Sequence, residues 1–133
     1  MNLIKTTSAV NPKQILMFTD PQVSVSVVVG NTGLTAGSDG KKVLKAGTPL
    51  AGDLTARNTA FKKATTTAGG SGAASTSDAV GILLHDVDVT EDSNNGTLLI
   101  FGFVNLDKLD ETTAALIDYA TKTALSGKIT FLK

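Results

Sequence analysis

Apolar and polar positions alternate most cleanly from Val23 to Val29. There Val23, Val25, Val27 and Val29 share one face, with Ser24 and Ser26 on the other. A period of two with β-branched residues predicts a half-buried strand. Gly30-Asn31-Thr32-Gly33 ends it in a turn, and Ser38-Asp39-Gly40 marks a second. Lys42 to Leu50 predicts a short strand, a turn at Gly47 and a further short strand. The densest apolar signal lies in Val80–Val89 and Thr97–Val104, each apolar on two faces over part of its length. Asn94-Asn95-Gly96 between them is a strong hairpin-turn signal. A hairpin with two apolar faces belongs at the centre of a core. One helix follows, capped by Asp107 or Asp110, with Leu109, Leu116, Ile117, Ala120 and Ala124 near a helical period and Gly127 as its stop. Its threonines weaken it, so it depends on packing. Lys128–Leu132 predicts a last short strand. The expected fold class is mostly β, a small barrel-like domain with one short helix.

Two stretches lack such a pattern. Met1 to Gln22 has scattered apolar residues and is broken by Pro12 and Pro21. It reads equally as an extended arm awaiting a partner surface or as an edge strand packed on its own domain. The expected division is an N-terminal arm over 1–22 and a single β-rich domain over 23–133, with a flexible loop at about 53–78. Within that loop, Thr65 to Ser77 is wholly Thr, Ala, Gly and Ser, and such a stretch buries too little surface to fix itself.

Composition narrows the function classes. The 133 residues suit one domain. Cysteine is absent, which excludes disulfides and thiolate metal sites. Twelve basic and twelve acidic residues leave no net field, and Arg57 is the only arginine, so a nucleic-acid partner is not expected. Met1–Ser8 lacks the apolar core of a signal peptide, and no apolar run approaches the ~20 residues of a membrane helix. No membrane partner is expected. Aromatics make up 5% of residues and tryptophan is missing, which leaves little with which to stack a sugar.

Candidate chemistry is sparse. His85 is the single histidine and reads as the edge of a packed surface beside Leu83, Val87 and Val89. Asp86, Asp88, Glu91, Asp92, Asn94 and Asn95 form an acidic tip. Its spacing departs from a calcium loop, because the sixth position from Asp86 is Glu91 and the twelfth from Asp88 is Leu99. Gly69-Gly70-Ser71-Gly72 has no following lysine and is no phosphate loop. Asn95-Gly96-Thr97 matches a glycosylation acceptor but reads better as the turn. The two glutamates, Glu91 and Glu111, sit where a tip and a helix start want charge. A binding or structural protein is expected rather than an enzyme, with no cofactor and no metal.

The order of segments from Lys45 to Lys133 resembles the head decoration proteins of tailed bacteriophages, the lambda-like family. The matching stretches are Lys45-Ala46-Gly47-Thr48-Pro49-Leu50, a variable loop, Ala79-Val80-Gly81-Ile82-Leu83-Leu84-His85-Asp86-Val87-Asp88-Val89, Gly102-Phe103-Val104-Asn105, the helix, and Ala124-Leu125-Ser126-Gly127-Lys128-Ile129-Thr130-Phe131. Val23–Val29 takes the place of the family's early strand. The Thr/Ala/Gly/Ser loop is longer than the family's. The resemblance implies a compact, tulip-like β domain, and a homotrimer bound to the major capsid protein on the outside of the phage head. It would assemble in the host cytoplasm and stabilise the shell against packaged DNA. It also implies an arm that adds a strand to the shell, which makes Leu3, Ile4, Lys5, Val10 and Pro12 the candidate shell contacts. Leu83, His85, Leu99, Phe101 and Phe103 are the candidate core or trimer residues of the hairpin. The alternative is a surface-binding module, such as a fibre tip or a glycan-binding domain.

Overall fold

The computed structural model of the chain describes residues 14–133. The candidate shell contacts Leu3, Ile4, Lys5, Val10 and Pro12 therefore lie outside the described residues. The fold is mostly β, as the pattern predicts, with antiparallel sheets and two short helices where one was expected.

Two long strands organise it. Strand β1 (Leu16–Val29) runs antiparallel to β9 (Asn94–Asn105). The serines of β1 are exposed while Val27 and Val29 are buried, as the alternation requires. Burying each of these valines stabilises the fold by roughly 1.5–3 kcal/mol. The strand begins well before Val23. Ile15 and Leu16 are buried, Leu16 lies opposite Val104, and the Asn105 N–H donates to the Ile15 carbonyl at 2.9 Å. An arm extending as far as Gln22 is thus corrected: from Ile15 onward the chain packs on its own domain. Between Phe18 and Val23 the register slips, β1 advancing five residues against two on β9. Pro21 falls in this bulge, where a residue without an N–H is tolerated.

The remaining strands are short: β2 (Val43–Leu44), β3 (Pro49–Ala51), β4 (Lys62–Lys63), β5 (Thr66–Thr67), β6 (Thr76–Ser77), β7 (Gly81–Leu83), β8 (Val87–Asp88) and β10 (Ile129–Leu132). The main sheet has the order β1-β9-β7-β3-β4, with β10 parallel to the distal half of β9. Its two ends approach each other. Phe61, just before β4, donates its N–H to the Val28 carbonyl at 2.7 Å and accepts from the Gly30 N–H at 2.8 Å. The sheet therefore curls into a barrel-like shape joined by the Val29–Phe61 bridge.

The curl creates two apolar clusters. Val27, Val29, Leu44, Leu50, Phe61, Leu83, Val87, Val89 and Leu98 fill one. Ile15, Leu16, Ile82, Leu84, Leu99, Val104, Leu109, Ile117, Leu125 and Ile129 fill the other, beneath the helical segment. Neighbouring residues on β7 and β9 serve different clusters: Leu83 and Leu98 the first, Ile82 and Leu99 the second. Both faces of these strands are covered inside one chain.

Several local expectations are corrected. Asn94-Asn95-Gly96 is not a turn: these residues pair with Val29, Val28 and Val27. Glycine is needed at 96 for packing, since a Cβ there would lie 2.9 Å from Val29 Cγ2. The reversal occurs at Thr90–Ser93, where Asp88 accepts from the Thr90 N–H at 2.9 Å and Asp92 from the Ser93 N–H at 2.7 Å. Val80–Val89 is two strands rather than one. β7 pairs with β9 and β3, the chain bends at Leu84–Asp86, and β8 pairs with β2. The Asp86 carboxylate stabilises the bend by accepting the Ala46 N–H at 2.7 Å.

The single helix is in fact a 3-10 turn (Leu106–Lys108) and two short helices, α1 (Glu111–Ala114) and α2 (Tyr119–Ala124). Asp118 caps α2, accepting the Thr121 N–H at 2.8 Å, and Thr123 Oγ1 donates back to the Tyr119 carbonyl at 2.9 Å. Hydroxyl and carboxylate side chains compete here for backbone groups that a longer helix would use. Gly127, at φ 78°, stops the segment as predicted.

The loop at 53–78 also contains structure. Phe61 is fully buried, β4 pairs with β3, and β5 and β6 form a hairpin. Asp78 accepts the Thr65 N–H at 2.7 Å and Thr66 Oγ1 lies 2.9 Å from Asp118 Oδ2, so the hairpin base is tied to the body of the fold. Its tip, residues 68–75, is exposed.

Candidate interaction surface

The outward face of β1 and β9 carries a block of large apolar side chains. Phe18 is 52% exposed, Val23 49% and Phe101 41%. The register sets Phe18 opposite Phe103 and Val23 opposite Phe101, so the four residues form two cross-strand pairs. The Phe18 and Phe103 rings meet edge to face at 5.5 Å. Alternation explains the direction: Gly102 and Val104 are buried, which turns Phe101 and Phe103 outward. Scattered exposed apolar residues are ordinary, but a contiguous aromatic block on a small domain marks a surface that a partner covers.

The hairpin candidates separate accordingly. Leu83 and Leu99 are fully buried and belong to the two cores. Phe101 and the half-buried Phe103 belong to the exposed block. His85 is exposed at the Leu84–Asp86 bend, apart from Leu83, Val87 and Val89, which are buried. Sequence reasoning missed Phe18 and Val23 as surface residues. The signal was Pro21 between them, since proline within a strand marks an edge or a bulge.

Polar groups elsewhere have structural work. Lys45 and Asp86 form an ion pair at 3.7 Å with both side chains half-exposed, worth at most about 1 kcal/mol. Lys41, Asp88, Thr90, Glu91, Asp92, Ser93 and Asn94 line a shallow depression of about 500 Å³ at the acidic tip. The Asp88 carboxyl is held below its ordinary pKa by the Thr90 hydroxyl first and the Thr90 N–H second, with a smaller push from Lys41. Its oxygens thus hold a turn. Asp53 is lowered in the same way by Thr55. Among the described residues, no three His, Asp or Glu side chains are grouped closely enough to hold a metal ion. No described helix is long and apolar enough to cross a membrane.

No protein-family model matches the chain, and no curated protein matches it.

Proposed function

We propose that this protein is a structural component of a tailed-phage head. It binds the outside of the capsid shell as a homotrimer and stabilises it against the pressure of packaged DNA. The order of segments that resembles the head decoration proteins supports this reading, together with the mostly-β fold. The observation that carries it is the contiguous exposed Phe18–Val23–Phe101 block on a domain whose other described large apolar side chains, the separate Val43, Leu54 and Tyr119 apart, are buried or half-buried. Such a block is suited to a closed cyclic interface or to the shell itself, because either would remove it from water.

The test is sedimentation of the protein alone and with expanded or unexpanded capsid shells. Binding to expanded shells, with a trimer on them, is the expected result. Phe101→Asp should leave the monomer folded and weaken the trimer or the shell complex at least tenfold, since it places a charge in an apolar contact. An intact protein that ignores expanded shells but binds immobilised glycans would replace this reading with the surface-binding one.

A further inference from the structure

Of the chain's seven asparagines only Asn95 precedes a glycine. That dipeptide is the one most prone to cyclise, because glycine puts no side chain in the way of its own nitrogen. The Gly96 nitrogen attacks the Asn95 side-chain carbonyl carbon and loses its proton. The bond from that carbon to the side-chain nitrogen breaks, and ammonia leaves. Water then opens the ring to aspartate or isoaspartate, so atoms and charge balance without an oxidant.

The fold holds this pair in an unreactive geometry. Antiparallel partners alternate between pairs that exchange both backbone bonds and pairs that exchange none. Val28 donates its N–H to the Arg57 carbonyl at 3.2 Å and accepts from the Phe61 N–H at 2.7 Å, so its polar groups face away from β9. Val27, its neighbour, must then face β9, opposite Gly96. The attacking nitrogen is thereby occupied by a ladder hydrogen bond, and the backbone around it is extended. The Asn95 side chain is exposed, so access is not what restrains it. We propose that Asn95–Gly96 is a latent deamidation site, kept shut by the β1–β9 ladder and opened only when β1 separates from β9.

The site has a structural origin. Gly96 is half-buried, and a Cβ on it would crowd Val29, Leu83 and Val87. Close packing demands glycine there, and the labile dipeptide comes with it. Isoaspartate adds one atom to the main chain. A strand so lengthened cannot keep Gly96 and Leu98 opposite Val27 and Val25, because register is fixed by the side-chain period. Chains whose ring opens to isoaspartate while the strands are apart are therefore marked and fail to re-pair, whereas those that become aspartate keep the register.

The experiment incubates the full chain, folded and in urea, at the same mildly alkaline pH and temperature. Ammonia release and mass analysis of peptides follow the reaction, and amide hydrogen exchange of Gly96 is measured in the folded protein. The expected results are conversion at Asn95 before any other asparagine in urea, a rate on the order of tenfold or more slower when folded, and a protected Gly96 amide. Equal rates in the two states, first reaction at another asparagine, or a freely exchanging Gly96 amide would each overturn the proposal.

Discussion

Replacing Phe61 by alanine tests whether the sheet is held closed from inside. The ring is fully buried among Val27, Val29, Leu50, Leu83 and Leu98 in the cluster inside the curl. It also lies directly beneath Gly52, where an added Cβ would come within 2.5 Å of it. Removing such a ring forfeits its transfer free energy and leaves a cavity, together costing about 3–5 kcal/mol. A domain of this size has about 5–15 kcal/mol in total, so roughly a fifth or more of its stability should go. The melting midpoint should fall by roughly 10–20 °C. The backbone bonds of residue 61 to Val28 and Gly30 do not involve the ring, so the loss measures packing rather than the bridge. Urea unfolding of wild type, Phe61→Ala and the surface control Leu54→Ala, read at unchanged slope, gives the difference directly. A loss for Phe61→Ala below about 1 kcal/mol, or one no larger than for Leu54→Ala, would refute a core organised around this ring.

Four further outcomes follow from particular features of the structure. Shortening the hairpin tip within residues 68–75 should change stability by about 1 kcal/mol or less, because a shorter flexible loop mainly alters closure entropy; calorimetry of the deletion checks this. Asp118→Ala should cost about 1 kcal/mol by removing the α2 cap, and urea titration reads it. Asp53, Asp88 and Asp118 all have carboxyl pKa values lowered in the fold, so the folded state binds fewer protons than the unfolded chain. The stability they contribute is present above the unfolded value of 3.8 and is lost as pH falls through the lowered folded values, which acid titration followed by circular dichroism should show. His85→Ala should leave stability within about 0.5 kcal/mol and shell binding within a few-fold, since the side chain is exposed at a bend.

Much of the fold was legible in the sequence where one physical cause dominates. The buried Val27 and Val29 with exposed serines between them, the turns closed by Gly33 and Gly40, and the stop at Gly127 each follow from a single local rule. The errors share a different origin. Asn95-Gly96 satisfies turn chemistry, but tertiary packing of Val29, Leu83 and Val87 against Gly96 decides its conformation. Phe61 lies among small and polar residues, so no period reveals it, and only the curl of the sheet makes it core. The short helices are a local case: Asp118 and the Thr123 hydroxyl bond backbone groups of α2 itself, a competition that an apolar period does not show. Of the candidate surface, the sequence singled out Phe101 and Phe103 only as core or trimer residues, while Phe18 and Val23 required the cross-strand register.

The register also changes what apolar surplus means as evidence for a partner. Two-faced strands in a short chain invite the inference that a neighbouring subunit covers one face. Here Leu83 and Leu99 are fully buried without one, because the curl and the helical segment supply a cluster for each face. That part of the surplus carries no information about assembly. What remains informative is the residue-level exception, Phe101 beside Val23 and Phe103 beside Phe18, at the bulge where β1 departs from regular pairing. Bulges re-aim side chains, and this one presents two aromatic rings and a valine to solvent. An apolar-to-charged change at Phe101 and one at Leu99 should therefore differ in kind. The first should act on association with the monomer folded, and the second should unfold the monomer, because it strands a charge in the core. Comparing the two variants by sedimentation and circular dichroism separates the surface from the core. If Phe101→Asp unfolded the chain as Leu99→Asp does, the block would be part of the core and the interface reading would fail with it.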